Sequence, residues 1–175
     1  LQLGKILRQQ TTIGSVSGTV MANGQGLTPD AINTKFSAAI ASAEYNHYHY
    51  RNVKLDGTLQ KTIFELHATI KDPNADADIT ISGDYSDHPS FTVHGMIDSI
   101  KALPLHLTTE PLVVRGKIDG EASDITADNV TANILVTQVL LVSDSNRLAL
   151  DTVQLLSGRT DTGNYMRLKS SIVNA

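Results

Sequence analysis

The sequence predicts an all-β chain, and three observations carry that prediction. Apolar and polar residues alternate with period two over most of its 175 residues, which places one apolar row and one polar row on opposite faces of a sheet. Roughly ten or eleven such runs follow one another, joined by short turns rich in Asp, Asn, Pro and Gly, at the spacing typical of an all-β sheet, sandwich or barrel. No amphipathic helix of about 10–15 residues separates them, so a parallel α/β arrangement is disfavoured.

In chain order, the opening stretch Leu1–Gln10 carries Leu1, Leu3, Ile6 and Leu7, a spacing that fits the end of a helix or a strand. Thr12–Ala22 reads as a strand through Val16, Gly18 and Val20, and Asn23–Gly26 as a turn. Thr28 before Pro29 has the arrangement of an N-cap followed by the first helical position, enough for one helical turn over Leu27–Asn33. Lys35–Ala43 places Phe36, Ala38, Ile40 and Ser42 on one face if extended. Its alanines make helix the competing reading, but a 3.6 period is missing and strands flank it.

The clearest stretch is Ala43–Gly83, which reads as three strands. Val53, Leu55, Gly57 and Leu59 alternate with Lys54, Asp56 and Thr58; Phe64, Leu66, Ala68 and Ile70 with Glu65, His67 and Thr69; Ala77, Ile79 and Ile81 with Asp78, Thr80 and Ser82. Asp72-Pro73-Asn74 is the turn between the last two, because Pro fixes φ and Asn tolerates the left-handed region. His88–Ile97 follows, with Phe91, Val93, Gly95 and Ile97 on one face, then a further strand over Asp98–Leu107 made irregular by Pro104. Leu112–Ile118 aligns Leu112, Val114, Gly116 and Ile118; Asp119–Asn129 is a polar loop with room for a short strand. Val130–Val142 carries Ala132, Ile134 and Val136, then Val139 and Leu141; Leu148–Leu156 and Met166–Val173 complete the strands.

These rows are mostly Val, Ile, Leu and Ala. The chain holds only three Phe, five Tyr and no Trp, few for a compact sandwich of this length. A sheet with one aliphatic face must cover it. It folds onto itself, pairs with a neighbour, or leaves an apolar trough.

Composition bounds the function classes. The chain is long enough for one domain, residues 1–175, with a sizeable core. Its 14 basic and 18 acidic residues give a net charge of −4 without a basic stripe, which argues against nucleic acid as a partner. The absence of cysteine excludes disulfides and thiolate metal sites. No run approaches the ~20 apolar residues of a membrane-spanning helix. Beginning at Leu1 without a signal peptide, the chain reads as an excised segment of a longer protein, whose anchoring or targeting segments lie outside it.

Catalytic and metal motifs fail on inspection. Asp72-Pro73-Asn74-Ala75-Asp76 opens like a calcium loop, but Ala77 and Gly83 stand where that loop needs Gly and Glu. His47 and His49 share a face if extended but lack a third ligand. Gly14-Ser15-Val16-Ser17-Gly18 has Val where a nucleophile elbow needs Ser. Gly24-Gln25-Gly26 lacks the third glycine of a dinucleotide loop. Asp119, Glu121, Asp124 and Asp128 read as solvated turn residues, with no apolar pocket to hold one as an acid. The expectation is a non-catalytic protein with no cofactor and no metal.

One line of residues carries a family resemblance. Ala43-Glu44-Tyr45-Asn46, Tyr48, Tyr50, Asn52-Val53 and Leu55-Asp56-Gly57, followed by Asp72-Pro73-Asn74, resembles a recurring segment of TamB proteins of the Bacteroidota, in the AsmA-like superfamily. Upstream, Gly24-Gln25-Gly26-Leu27-Thr28-Pro29, then Ile32-Asn33 and Lys35, is similar to a second line of that family. Downstream, Lys101-Ala102-Leu103-Pro104-Leu105 and Leu112-Val113-Val114-Arg115-Gly116-Lys117-Ile118 is similar to a third. The likeness runs from about Gly14 to Leu168 and matches an internal part of the long protein. A departure falls at His47, where the family commonly has Gly; either the turn differs or Asn46 takes a positive φ.

The resemblance implies a single curved, mostly antiparallel sheet, rolled into a taco-like hydrophobic trough. It also implies a periplasmic protein, anchored in the inner membrane by a segment outside this chain. Such a protein carries phospholipid between the inner and outer membranes. A BamA-like outer-membrane barrel is its partner in outer-membrane assembly, through other parts of the protein. The expected groove residues are Val53, Leu55, Leu59, Phe64, Leu66, Ile70, Ile79, Ile81, Phe91, Val93, Ile97, Val114, Ile118, Ile134 and Val136. Two other readings stand beside it. One is a structural or chaperone scaffold acting by strand addition; the other is a carbohydrate-binding or adhesin domain using Tyr45, Tyr48 and Tyr50. Exposed edges of an excised sheet also favour edge-to-edge self-association.

Overall fold

The computed structural model describes residues 13–26, 28, 30–125, 130–144 and 146–172. Ten strands form one sheet: β1 (Ile13–Gln25), β2 (Asn33–Tyr45), β3 (Tyr48–Gln60), β4 (Ile63–Asp72), β5 (Ala75–Asp84), β6 (Ser90–Lys101), β7 (Val113–Ser123), β8 (Thr131–Ser143), β9 (Asn146–Thr160) and β10 (Gly163–Ile172). Sheet order equals chain order, every pair is antiparallel, and β1 and β10 are the two edges. Among the described residues there is no helix and no second layer. The all-β prediction and the open curved sheet are thus borne out, and the pairing is wholly antiparallel.

Several sequence boundaries shift. β1 continues through the expected turn to Gln25, and β7 runs on to Ser123 into the expected polar loop. The strand expected over Asp98–Leu107 does not exist as a separate element: β6 runs unbroken to Lys101, and Ala102–Leu107 is a turn. Lys35–Ala43 is a strand, inside β2. The helical turn predicted before it is a hydrogen-bonded turn in which Ala31 and Ile32 donate to the Thr28 carbonyl. The Leu1–Gln10 reading lies outside the described residues. At the β2–β3 tip both Asn46 (φ 50°) and His47 (φ 63°) are left-handed. That is the two-residue hairpin geometry matching strand twist, in which Gly is the favoured occupant.

A line of irregularities crosses the sheet at one level. Ala41 is passed over between β1 and β2, where Ser17 pairs Ser42 but Gly18 pairs Ile40. Beside it Asn52 is left-handed (φ 53°) and its Nδ2 donates to the Lys71 carbonyl of β4. Lys71 faces Asp76 and pairs with it at 2.6 Å; this carboxylate holds the Lys71 ammonium pKa above its ordinary value. Asp98 is the extra residue of β6, between Ser99 opposite Asp76 and Ile97 opposite Ala77. The β7–β8 register slips around Gly116 and Gln138, and Gln138 is left-handed (φ 54°). Asp151 is passed over between β9 and β10. Bulges bend a strand and increase its twist, so this row acts as a crease along the sheet. It divides each strand into a long wing and a short one.

Burial shows which way the sheet curls. On the long wing of β3 the side chains Lys54, Asp56 and Thr58 are exposed, while Val53, Leu55, Gly57 and Leu59 are half-buried. In β7 Arg115, Lys117, Asp119 and Glu121 are exposed against buried Gly116 and half-buried Ile118, Gly120 and Ala122. A single layer buries one face only by bending around it, so the apolar face is the concave one. Ala77 (2% exposed) and Val139 (7%) lie near the crease floor.

Small residues are interspersed among large ones across this concave face. One lateral row runs Phe36, Gly57, Leu66, Ile81, Val93, Gly120, Ile134, Leu155. The next runs Ala38, Leu55, Ala68, Ile79, Gly95, Ile118, Val136, Val153. Curling crowds the inner side chains, and the glycines make room. A Cβ at Gly95 would lie 2.6 Å from the Asp78 carbonyl oxygen and 3.0 Å from the Ile79 Cα. Because backbone cannot step aside, Gly95→Val is expected to lower the free energy of unfolding by about 3 kcal/mol, as overpacking does. A urea titration reads this as a lower midpoint at unchanged slope.

Candidate functional site

The fifteen residues expected to line a groove fall on one face. Pair by pair, Val53 faces Ile70, Leu59 faces Phe64, Leu66 faces Ile81, Ile81 faces Val93, and Ile118 faces Val136. Phe91 pairs Gly83 of β5, Ile97 pairs Gly116, and Ile134 pairs Gly120. All fifteen are half-buried; none is sealed. At ~4.8 Å per strand the ten strands give a trough of about 48 Å, and a long wing of eight residues is about 26 Å deep. Near the far rim Phe64 and Phe91 meet across Gly83 with ring centroids 5.8 Å apart.

The outer face is wet. His67 Nε2 lies 2.7 Å from Asp78 Oδ1, and His94 Nδ1 is hydrogen-bonded to Asp119. Ser82 and Thr92 share a 2.6 Å hydroxyl bond, and Gln154 donates to Asn133 at 2.8 Å. A depression of about 670 Å³ also lies on this side, lined by Met21, Lys35, Asp56, Glu65 and His67 among others. The alternation of β1–β4 gives no signal for it. It is open to solvent and mixes both charge signs.

The carboxylates of the calcium-like stretch serve separate partners. Asp72 accepts from Tyr48 and Arg51, Asp76 pairs with Lys71, and Asp78 pairs with His67. His49 lies 3.8 Å from Glu44. Among the described residues no group of three or more His, Asp or Glu is placed to hold a metal ion.

At the short wing the motif residues come together. Asp72, 6% exposed, accepts from the Tyr48 hydroxyl at 2.5 Å, from the Arg51 amide at 3.0 Å and from the Asn74 amide at 2.8 Å. Asn74 Nδ2 donates to the Tyr48 hydroxyl at 3.1 Å. The Tyr48 ring stands edge-on to Tyr50, centroids 4.9 Å apart. The tyrosine line and the Asp-Pro-Asn turn are therefore two halves of one clasp. Sequence reasoning saw both halves and missed their contact, because 24 residues separate them.

Burial, then the bond to Asp72, raises the Tyr48 phenol pKa above its ordinary value of 10.0. A raised folded-state value means stability fully present below the unfolded value and lost as pH rises from there through the folded value. Stability is thus expected to fall above about pH 10, and less steeply in Tyr48→Phe, as followed by circular dichroism during alkaline titration.

The fold and the clasp define a class: a single-layer antiparallel β-trough, creased lengthwise, apolar inside and polar outside. No family model, no curated protein and no solved structure matches this chain.

Proposed function

We propose that this chain is a segment of an AsmA/TamB-like envelope protein. Its trough carries phospholipid between the inner and outer membranes by shielding the acyl chains, and so supports outer-membrane assembly. One observation carries the reading: an aliphatic face continuous across ten strands is concave and half-exposed over its long wing, with nothing among the described residues covering it there. A half-covered apolar trough gains from an apolar occupant, at about 0.8 kcal/mol per buried methylene. Head groups ride at the wet rim, where Lys61, Asp84 and Asp161 stand among the turns. The mechanism is passive and non-catalytic, needs no cofactor, and leaves direction to other parts of the protein. Periplasmic placement, an inner-membrane anchor outside this chain and a BamA-like barrel as partner belong to the same proposal. They rest on the resemblance of the tyrosine, Gly-Leu-Thr-Pro and Ala-Leu-Pro-Leu lines.

Photo-reactive residues at Leu66 and Ile81 test this reading. Both are expected to crosslink phospholipid in the expressed chain, while one at Lys54 on the outer face is not. Equal labelling from both faces contradicts the proposal.

Among the described residues β1 and β10 are the outermost strands, which favours a second reading, a scaffold that adds strands from a partner or from another copy. Val20 (69% exposed) on β1 and Leu168 (69%) on β10 lie at these edges. Tyr48 and Tyr50 are packed edge-on against each other and Tyr48 is hydrogen-bonded to Asp72, an arrangement that weighs against their serving as an open carbohydrate platform.

A further inference from the structure

Where the β4–β5 turn ends short, the neighbouring β2–β3 tip and β6–β7 connection project past it. The connection, residues 102–112, is a compact loop closed at its neck by the Ala102 amide donating to the Leu112 carbonyl at 2.7 Å. It leans over the short turn and meets the β2–β3 tip through a reciprocal pair. Asn46 Nδ2 donates to the His106 carbonyl at 3.1 Å, and His106 Nδ1 donates to the Asn46 carbonyl at 3.0 Å. Lys101 Nζ donates to the Pro73 carbonyl at 2.9 Å.

Beneath this loop the trough changes character. Ala75 (1% exposed), Ala77 (2%), Ala102 (3%) and Leu105 (1%) are sealed, and Leu105 is the largest fully buried side chain among the described residues. Further along the same β5 row, Ile79 and Ile81 are only half-buried. Small residues occupy the floor at this end of the trough, and Leu105 of the loop is buried as completely as they are. An acyl chain has the same chemistry as that leucine.

We propose that residues 102–112 form a strap whose Leu105 occupies the inner corner of the trough in place of an acyl chain, and that the strap swings off the Asn46 tip to admit one. The proposal rests on the lipid-groove reading. The closed neck lets the loop move as a unit. Its hold on the β2–β3 tip is two exposed hydrogen bonds, each individually weak against water. Leu103 (39% exposed) and Leu107 (55%) sit in solvent on the strap, apolar surface that a lipid arriving at the rim would cover.

The absence of native cysteine makes a locking experiment clean. Asn46→Cys and His106→Cys are introduced together and bridged by a short bis-maleimide, with the unbridged double variant as control. Photo-reactive residues at Ile97, beside Ala77 in the corner, and at Leu66, on the open wing, report lipid from vesicles of phosphatidylethanolamine and phosphatidylglycerol. A strap that gates the corner gives lipid crosslinks at both positions when unbridged and loses the Ile97 crosslink alone when bridged. Leu105→Ala, which vacates the corner, raises the Ile97 crosslink. An Ile97 crosslink unchanged by bridging overturns the strap and leaves a fixed wall. No crosslink at Leu66 in any form overturns the lipid-groove reading, and the strap with it.

Discussion

Asp72→Ala is expected to lower the stability of the sheet by about 2–3 kcal/mol, the loss expected when a hydrogen-bonded carboxylate is taken from several donors. Asp72 is the buried polar residue of the described chain, and its carboxylate closes three donors from three places: Tyr48, Arg51 and Asn74. Alanine leaves those partly buried donors without their acceptor, and solvent replaces it only in part. The damage concentrates at the short wing, because β4–β5 and β2–β3 are joined there by this carboxylate rather than by strand pairing. Hydrogen exchange should show early opening of the amides around Arg51 and Asn74, while the long wing at Leu66 and Ile118 stays protected. Tyr48→Phe removes one bond of the same network and is expected to lower stability by only about 1 kcal/mol. A full-sized loss in Tyr48→Phe together with a negligible one in Asp72→Ala would contradict the clasp.

The second large effect separates a trough from a filled core. Ile79 sits half-buried on the concave face, between Ala68 of β4 and Gly95 of β6. Both neighbours are small, so Ile79→Lys has room for its stem, and its ammonium can reach the water in an open groove. The variant is expected to fold, with a melting temperature lowered by only a few degrees. An acyl chain lying over the same row would have to desolvate that ammonium, which is costly without a partner. Bound phospholipid is therefore expected to fall at least about tenfold, which corresponds to only 1.4 kcal/mol. If the concave face were instead packed shut against another layer, the same substitution would bury a charge and unfold the chain.

Much of the sheet was legible because period two is a local property. Val53–Leu59, Phe64–Ile70 and Ile79–Ile81 declare their inner face residue by residue, and antiparallel hairpins with short turns leave chain order as the natural sheet order. The crease was legible only in retrospect. A bulge changes the apolar spacing from two to three, as at Ile97 to Ile100 and Val136 to Val139. The step at Ile97 reads equally well as the end of one strand and the start of another. Asp98–Leu107 was expected as a separate strand for that reason, although Asp98 is an inserted residue within β6. Extra length in β7 was missed because Asp119 and Glu121 look like loop residues. They are the outward half of an alternating strand whose inward half is Gly120 and Ala122.

The clasp and the strap were not legible, because they are long-range contacts between turns. Asn46 and His106 lie 60 residues apart, and no periodicity relates them. Concavity was also beyond the sequence by itself. Aliphatic rows fit a sandwich, a barrel or a trough, and only the half-burial of all fifteen inner residues distinguishes a face that is bent but uncovered.

Native mass spectrometry of the chain purified from a bacterial host tests the central claim most directly. The trough reading predicts a population heavier by the mass of one or more phospholipids, released by collisional activation and absent in Ile79→Lys. A single peak at the bare chain mass under the gentlest conditions, from material that is folded by circular dichroism, would contradict it.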